Sequence, residues 1–344
     1  MGRFLNRLGL GDLDAESVVS TLGRNPNWIG QTTRGGKVFV KELVLDDERR
    51  AKIARTVHVA ATGEGLVNMP RLVGVDEDEA LIATDYVNES RNGLELAGDS
   101  VFDDQLCEAV AEQLANFHRL PAEGFDPAPH PMPPLKPFEA VSLEYFAQAS
   151  AAEIAMWKLL QPDQELRAAL RTLREIDDDP PTPRCPIHGD LRLDQFLIAD
   201  GVAYLSDFEE ARLGDPARDI GAFAGEWLFL AASALPETLA DSLPLGASAA
   251  HEQIVATGVG EVAQRSPKVR AFYRRYLACR PQARDDRELA TRAARYAGWH
   301  MIDRMLAGAG QSARLSPINR AAAGIGRTVL LSPAEFVSIL GLEE

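Results

Sequence analysis

The residue pattern changes period once, between residues 86 and 93, and that change constrains the fold more than any other feature of the chain. Before it, short apolar runs are punctuated by turn residues. Residues 28–33 and 37–43 flank Arg34-Gly35-Gly36, which reads as a tight turn between two strands. Residues 71–75 and 80–87 predict a second hairpin around the acidic turn 76–79, and residues 17–22 an earlier strand, with a helix as the alternative. Residues 46–61, with acids at their start and helical spacing beyond, predict one helix. After the polar stretch 88–93 a helical period takes over. A helix is expected over 102–120, stopped by Pro121, then a proline-rich irregular stretch over 122–137, then two helices over 140–175 broken around Pro162. A β segment interrupts at 187–208, where residues 195–198 and 202–206 flank the Asp200-Gly201 turn. Everything beyond Asp219 reads as helical, and Ser332-Pro-Ala-Glu335 predicts a capping box on the last helix. The expected fold class is therefore α+β and bilobal. A β-rich N-lobe would cover residues 1–87, and a larger helical C-lobe with one embedded hairpin residues 88–344.

Charge narrows the partners. Lysine and arginine number 36 against 51 acids, a net charge of −15. Such a surface repels phosphate backbones and anionic lipid, so neither nucleic acid nor a membrane surface is the expected partner. Cys107, Cys185 and Cys279 are far apart, with no C-x-x-C pair, which excludes a disulfide framework and a zinc-ribbon site. The first residues reach Asp12 before any long apolar run, so no signal peptide is expected. The most apolar stretch, 220–235, carries Glu226 and is too short to span a bilayer. A cytoplasmic location is the expectation.

The chemistry concentrates in Cys185-Pro-Ile-His188-Gly-Asp190-Leu-Arg-Leu-Asp194-Gln195-Phe-Leu197, followed by Leu205-Ser-Asp207-Phe208-Glu209. In kinase catalytic loops an Asp accepts the proton of the substrate hydroxyl, an amide five residues later binds metal, and a second Asp beyond a short hairpin bridges metal to the phosphates. Asp190, Gln195 and Asp207 stand at those spacings. Lys41, in the strand 37–43, shares a face with Phe39 and Leu43, the placement of a lysine that holds the α- and β-phosphates. Glu48, near the following helix start, is the candidate carboxylate partner of Lys41. The only candidate for a loop over the phosphates is Gly23-Arg-Asn-Pro-Asn27, and adenine is expected against backbone groups from Asp85 to Val87. His118 reads as a satisfied helix-end residue. Trp227, Phe229, Trp299 and Met301 read as helical core. Arg270, Arg274, Arg275 and Arg280 form a solvated helix face or a receiver for an acidic peptide.

Residues 185–225 resemble the aminoglycoside phosphotransferase and choline kinase family. The likeness rests on His188-Gly-Asp-Leu and on Asp207-Phe-Glu-Glu-Ala-Arg-Leu-Gly214-Asp215-Pro216-Ala-Arg-Asp219-Ile-Gly221. The resemblance implies a bilobal protein-kinase-like fold with ATP and Mg²⁺ between the lobes, Asp190 as catalytic base, and Asp207 as metal ligand. It also implies a structural His188, with Asp215 and Asp219 bracing the loop and capping the next helix. Gln195 departs from the Asn of the family; its carbonyl can ligate Mg²⁺ from a position displaced by one methylene, and Mg²⁺ tolerates poor geometry badly. Residues 191–197, together with Gly225-Glu-Trp227, look like the kinase-type subunit of class V lanthipeptide synthetases. That likeness implies phosphorylation of Ser and Thr in a ribosomally made precursor peptide, whose phosphate a separate lyase eliminates. A small-molecule kinase of aminoglycoside or amino-alcohol type, and a pseudokinase that only presents the peptide, are the alternative readings.

Overall fold

A short helix, α1 (Gly2–Arg7), opens the chain and lies against a four-stranded antiparallel sheet: β1 (Asn27–Gln31), β2 (Lys37–Glu42), β3 (Leu72–Asp76) and β4 (Leu81–Asp85), in the order β1-β2-β4-β3. The computed structural model describes residues 1–20, 25–44, 47–244 and 248–344. Strand alternation divides the sheet. Val38, Val40, Leu81 and Ala83 pack on Phe4 and Leu5 of α1. On the other side Leu43, Ala80 and Ile82 pack on Ile53 of α2 (Arg49–Gly63). Lys41 is the register partner of Ile82 and therefore projects on this second side, as its period-two neighbours required. The strand expected over 17–22 is reduced, among the described residues, to one bridge between Val19 and Ile29.

The larger lobe begins with β5 (Arg91–Asn92) and α3 (Gly93–Gly98), the latter opened by a capping box between Asn92 and Glu95. Next come α4 (Asp104–Phe117), α5 (Leu135–Glu139), α6 (Leu143–Gln148), α7 (Ala151–Leu160) and α8 (Gln164–Asp178). Three helices thus begin within residues 140–175 where two were expected. The extra break lies at Ser150, which caps α7 through a second box with Glu153. Then β6 (Cys185–Ile187), β7 (Phe196–Ala199), β8 (Val202–Leu205) and β9 (Arg212–Gly214) follow. β7 and β8 form the expected hairpin, and its turn residues Asp200 and Gly201 have φ of 50° and 76°, the left-handed pair that a two-residue turn of this twist requires. β6 pairs with β9 and clamps the two ends of the segment that carries the motifs.

Five helices complete the chain: α9 (Ala217–Ser242), α10 (His251–Cys279), α11 (Leu289–Gly310), α12 (Pro317–Leu331) and α13 (Pro333–Leu340). α9 is the hub. Ile220, Phe223, Ala224, Trp227, Leu228 and Ala231 recur at three- and four-residue spacing and are buried. Gly221 and Gly225 let α11 approach closely: a Cβ on Gly221 would lie 2.3 Å from the Ala293 carbonyl oxygen, and one on Gly225 would lie 2.7 Å from His300 Cβ. Trp227, Trp299 and Met301 are buried in this core, and Phe229 packs against it, as expected. The capping box expected at Ser332 does not form. Ser332 is the single residue joining α12 to α13; its N–H closes α12 on the Thr328 carbonyl, and its side chain makes no cap bond. Among the described residues no single helix is long and apolar enough to cross a membrane.

Candidate active site

The loop from β6 to β7 is held in shape by buried acids of α9 and of the turn that precedes it. Asp219 accepts the N–H groups of His188 (2.6 Å) and Gly189 (3.0 Å) through its two carboxylate oxygens, and Asp215 accepts the N–H of Ala217 (3.0 Å). These are the bracing and capping roles expected of them. Gly189 has φ of 87°, and a Cβ there would meet the Glu210 carbonyl oxygen at 2.7 Å, so glycine is required by both conformation and space. His188 Nε2 bonds the Ser206 carbonyl (2.9 Å), tying the loop to the end of β8. His118 is satisfied on both nitrogens, by Tyr276 Oη (2.8 Å) and Asp219 (3.0 Å), at the end of α4. Burial holds its imidazole below the ordinary value although Asp219 works the other way.

Asp190 emerges from this braced loop with 41% of its side chain exposed, so an acceptor can reach it. Burial, with Asp303 and Asp207 adding to it, raises the Asp190 carboxyl above the ordinary value against the opposing Arg192. Asp207 sits at a left-handed residue (φ 68°, ψ 61°) and its Oδ1 takes Lys41 Nζ at 2.6 Å from a strand 166 residues away. Burial alone would raise this carboxyl; the Lys41 ammonium prevails and holds it below the ordinary value. Lys41 also meets Glu209 at 2.9 Å. Burial and the Asp207 charge push the Glu209 carboxyl up.

Glu48 does not fill the place expected for it. It is the N-terminal flanking residue of α2, its side chain is 65% exposed, and it lies 3.5 Å from Arg55, while Lys41 is paired with Asp207 and Glu209. Glu209 follows Asp207 by two residues on one short turn, and both carboxylates meet Lys41. The spacing Asp207-Phe208-Glu209 is the sequence signal that could have found it.

Gln195 is 3% exposed, and its Oε1 accepts the N–H of Arg192 at 2.9 Å; its Nε2 has no hydrogen-bond partner among the described residues. A carbonyl oxygen keeps a second lone pair, so one amide oxygen and the Asp207 carboxylate stand on the two flanks of the β7–β8 hairpin. Mg²⁺ is commonly held by one or two carboxylates plus substrate phosphates, and these hard oxygens fit such an ion. Asp85 is bonded to Arg71 (2.8 Å) and the Val87 carbonyl accepts the Ser90 hydroxyl (2.7 Å), on the chain leaving β4. In the candidate phosphate loop, Gly23 and Arg24 lie outside the described residues; Asn25 Oδ1 accepts the Val44 N–H at 3.2 Å. Arg270 and Arg275 are paired with Glu343 and Glu112 (both 2.9 Å), and Arg280 donates to Tyr276 Oη, so most of the basic helix face is engaged internally.

Two further groups were not foreseen. Glu226 of α9 accepts the Leu193 N–H (3.1 Å) with one oxygen and meets His300 Nε2 (2.6 Å) with the other. Burial opposes ionisation of this carboxyl, but His300 overrides it and brings it down to about 2. Beside Asp190, a small open cleft is lined by His130, Tyr296, Trp299, His300 and Asp303.

A profile of the phosphotransferase enzyme family matches residues 23–253, more than half of the chain, and spans Lys41 and the loop that carries Asp190, Gln195 and Asp207. The chain belongs to this family. A comparison of the phosphotransferase with curated proteins finds no match. Among solved structures it is similar to a choline/ethanolamine kinase family protein from Mesorhizobium loti, at 16% identity and TM-score 0.52, over 100% of both chains. It is also similar to a thermostable mutant of aminoglycoside phosphotransferase APH(4)-Ia, at 13% identity and TM-score 0.56, over 97% of this chain and 99% of the other. The phosphotransferase therefore has the bilobal kinase-like fold that the motifs implied.

Proposed function

We propose that the phosphotransferase moves the γ-phosphoryl group of ATP to a hydroxyl, and that the acceptor is Ser or Thr of a ribosomally made precursor peptide whose phosphate a separate lyase later eliminates. The observation that carries the reaction type is the meeting of Lys41, from the N-terminal sheet, with Asp207 beside the braced Asp190 loop. Lys41 would leave its two carboxylates for the α- and β-phosphates of a nucleotide lying between residues 1–87 and 88–344, with adenine near Asp85 and Val87. Asp207 and Gln195 would hold Mg²⁺, which supplies positive charge to the phosphates when bound. Asp190 orients the acceptor hydroxyl and takes its proton, and its raised basicity suits that task. The remaining contribution is positioning, which is most of what phosphoryl transfer asks of a protein. The peptide acceptor is supported by the likeness of residues 191–197 and 225–227 to class V lanthipeptide kinases.

A small cationic alcohol is the second reading, favoured by Asp303 and the aromatic rings of Tyr296 and Trp299 beside Asp190. The test is mass spectrometry after incubation with MgATP and, separately, blocked Ser and Thr peptides, choline, and an aminoglycoside. Phosphate on the peptides alone is expected, with Asp190→Asn slower by about 10²–10⁴. Phosphate on choline or the aminoglycoside alone would replace the peptide reading. Nucleotide and peptide binding without phosphate on any acceptor would make the chain a pseudokinase.

A further inference from the structure

Residues 126–132 form neither helix nor strand, yet arginines hold them along their length. Arg184 donates to the Pro127 carbonyl (2.8 Å), Arg212 to that of Pro129 (3.3 Å), Arg174 to that of His130, and Arg218 to that of Met132 (2.8 Å). What this clamp presents is one imidazole. His130 is 7% exposed and lines the cleft beside Asp190. Its Nδ1 accepts the Met132 N–H at 3.1 Å. A main-chain N–H can only donate, so Nδ1 carries no proton and the proton of the neutral ring stands on Nε2. Burial, with Arg218, Arg212 and Arg174 adding to it, holds the imidazole well below its ordinary value, so the ring is neutral. Nε2 is buried and has no hydrogen-bond partner among the described residues. Folded proteins pair nearly all of their buried donors, so an N–H fixed in its tautomer and left open on a ring that borders a cleft calls for a ligand atom.

We infer that His130 is a specificity-determining residue whose Nε2–H donates to an amide carbonyl oxygen of the acceptor, next to the hydroxyl that Asp190 receives. The inference rests on the phosphotransferase reading of the site and narrows its acceptor. The charges around the cleft select this atom. Asp190 and Asp303 line the same cleft and disfavour an anionic oxygen. Arg218 lines it too, but its guanidinium is paired with Asp177 at 3.0 Å and lies over the Tyr296 ring at 4.9 Å, so it brings no unopposed charge. An ammonium group offers only donors and gives His130 nothing to bond. The complementary atom is therefore a neutral oxygen. Every Ser or Thr inside a peptide carries an amide carbonyl on both sides of its hydroxyl-bearing unit, and choline carries none. Because the arginines already fix the segment, binding the acceptor orders little of it.

The test compares three alcohols under MgATP. They are N-acetylserine methylamide, N-acetylethanolamine, which lacks the carbonyl after the serine α-carbon, and N-methyl-3-hydroxypropanamide, which lacks the one before it. For the wild type, kcat/KM should fall about 5- to 20-fold when the carbonyl that His130 reads is removed. His130→Ala should flatten that ratio, and His130→Gln, which returns an N–H near the place of Nε2, should recover part of it. A wild-type ratio near one, or one unchanged in His130→Ala, overturns the inference, as does phosphate on choline or an aminoglycoside alone. Imidazole ¹⁵N NMR of the wild type depends neither on transfer nor on how a variant folds. Nδ1 should be unprotonated and Nε2 protonated near neutral pH, and the Nε2–H resonance should move when N-acetylserine methylamide is added with AMP-PNP and Mg²⁺. A protonated or reversed ring, or a resonance that stays in place, overturns the inference. Phosphate on none of the alcohols, with the resonance moving, would overturn the phosphotransferase reading and leave the carbonyl contact standing.

Discussion

Replacing Glu226 with alanine removes one buried carboxylate that ties three elements together. Its side chain is 8% exposed, and it joins the Leu193 N–H of the Asp190 loop to His300 of α11. Breaking a buried charged pair by deleting one partner costs about 3–5 kcal/mol, because the groups left behind are buried and unpaired. The carboxyl gives a similar figure: lowering it from 4.5 to about 2 corresponds to roughly 3 kcal/mol. The sign fixes the pH window. A depressed carboxyl contributes its stability above the unfolded value and loses it as pH falls through the folded one, so the gap between wild type and variant should be full above pH 4.5 and close toward pH 2. Urea unfolding at a series of pH values measures that gap, and hydrogen exchange over residues 190–197 reports whether the Leu193 amide has been released. Glu226→Gln, which keeps an acceptor for Leu193 and loses the charge, should cost about half as much. A loss under about 1 kcal/mol, with Leu193 exchanging as slowly as in wild type, would show that the carboxylate does not anchor the loop.

Two other outcomes follow from the geometry. Because Asp190 must be ionised to accept a proton and its carboxyl is raised, kcat/KM should fall on the acid side with a midpoint above the ordinary value of 3.8; a midpoint at or below it would remove Asp190 as the base. Gly221→Ala places a Cβ 2.3 Å from the Ala293 carbonyl oxygen, so α9 and α11 must separate, lowering stability by about 1–3 kcal/mol in thermal unfolding; an unchanged midpoint would refute the close crossing.

The parts of the site that sequence exposes are those with a local cause. Strand alternation on either side of Arg34-Gly35-Gly36 places Lys41 on a known side of its sheet, and Asp200-Gly201 closes the hairpin between Gln195 and Asp207. Asp190, Gln195 and Asp207 lie within one eighteen-residue stretch, where chain connectivity alone keeps them close. Helix ends were less legible. Ser332-Pro-Ala-Glu335 has the letters of a capping box, but the residue is spent on ending the previous helix, and no local rule sees that competition.

What only the tertiary structure decided is which charges meet. Glu48 was the partner expected for Lys41, and the fold brings Glu209 to it instead, at 2.9 Å, while Glu48 lies 3.5 Å from Arg55. Glu226 and His300 lie 74 residues apart, on helices brought together by Gly221 and Gly225. Secondary-structure periods act over a few residues, so they can be read from the order of side chains. Ion pairs act over a few ångströms of space, and that distance exists only after helices from distant parts of the chain have packed.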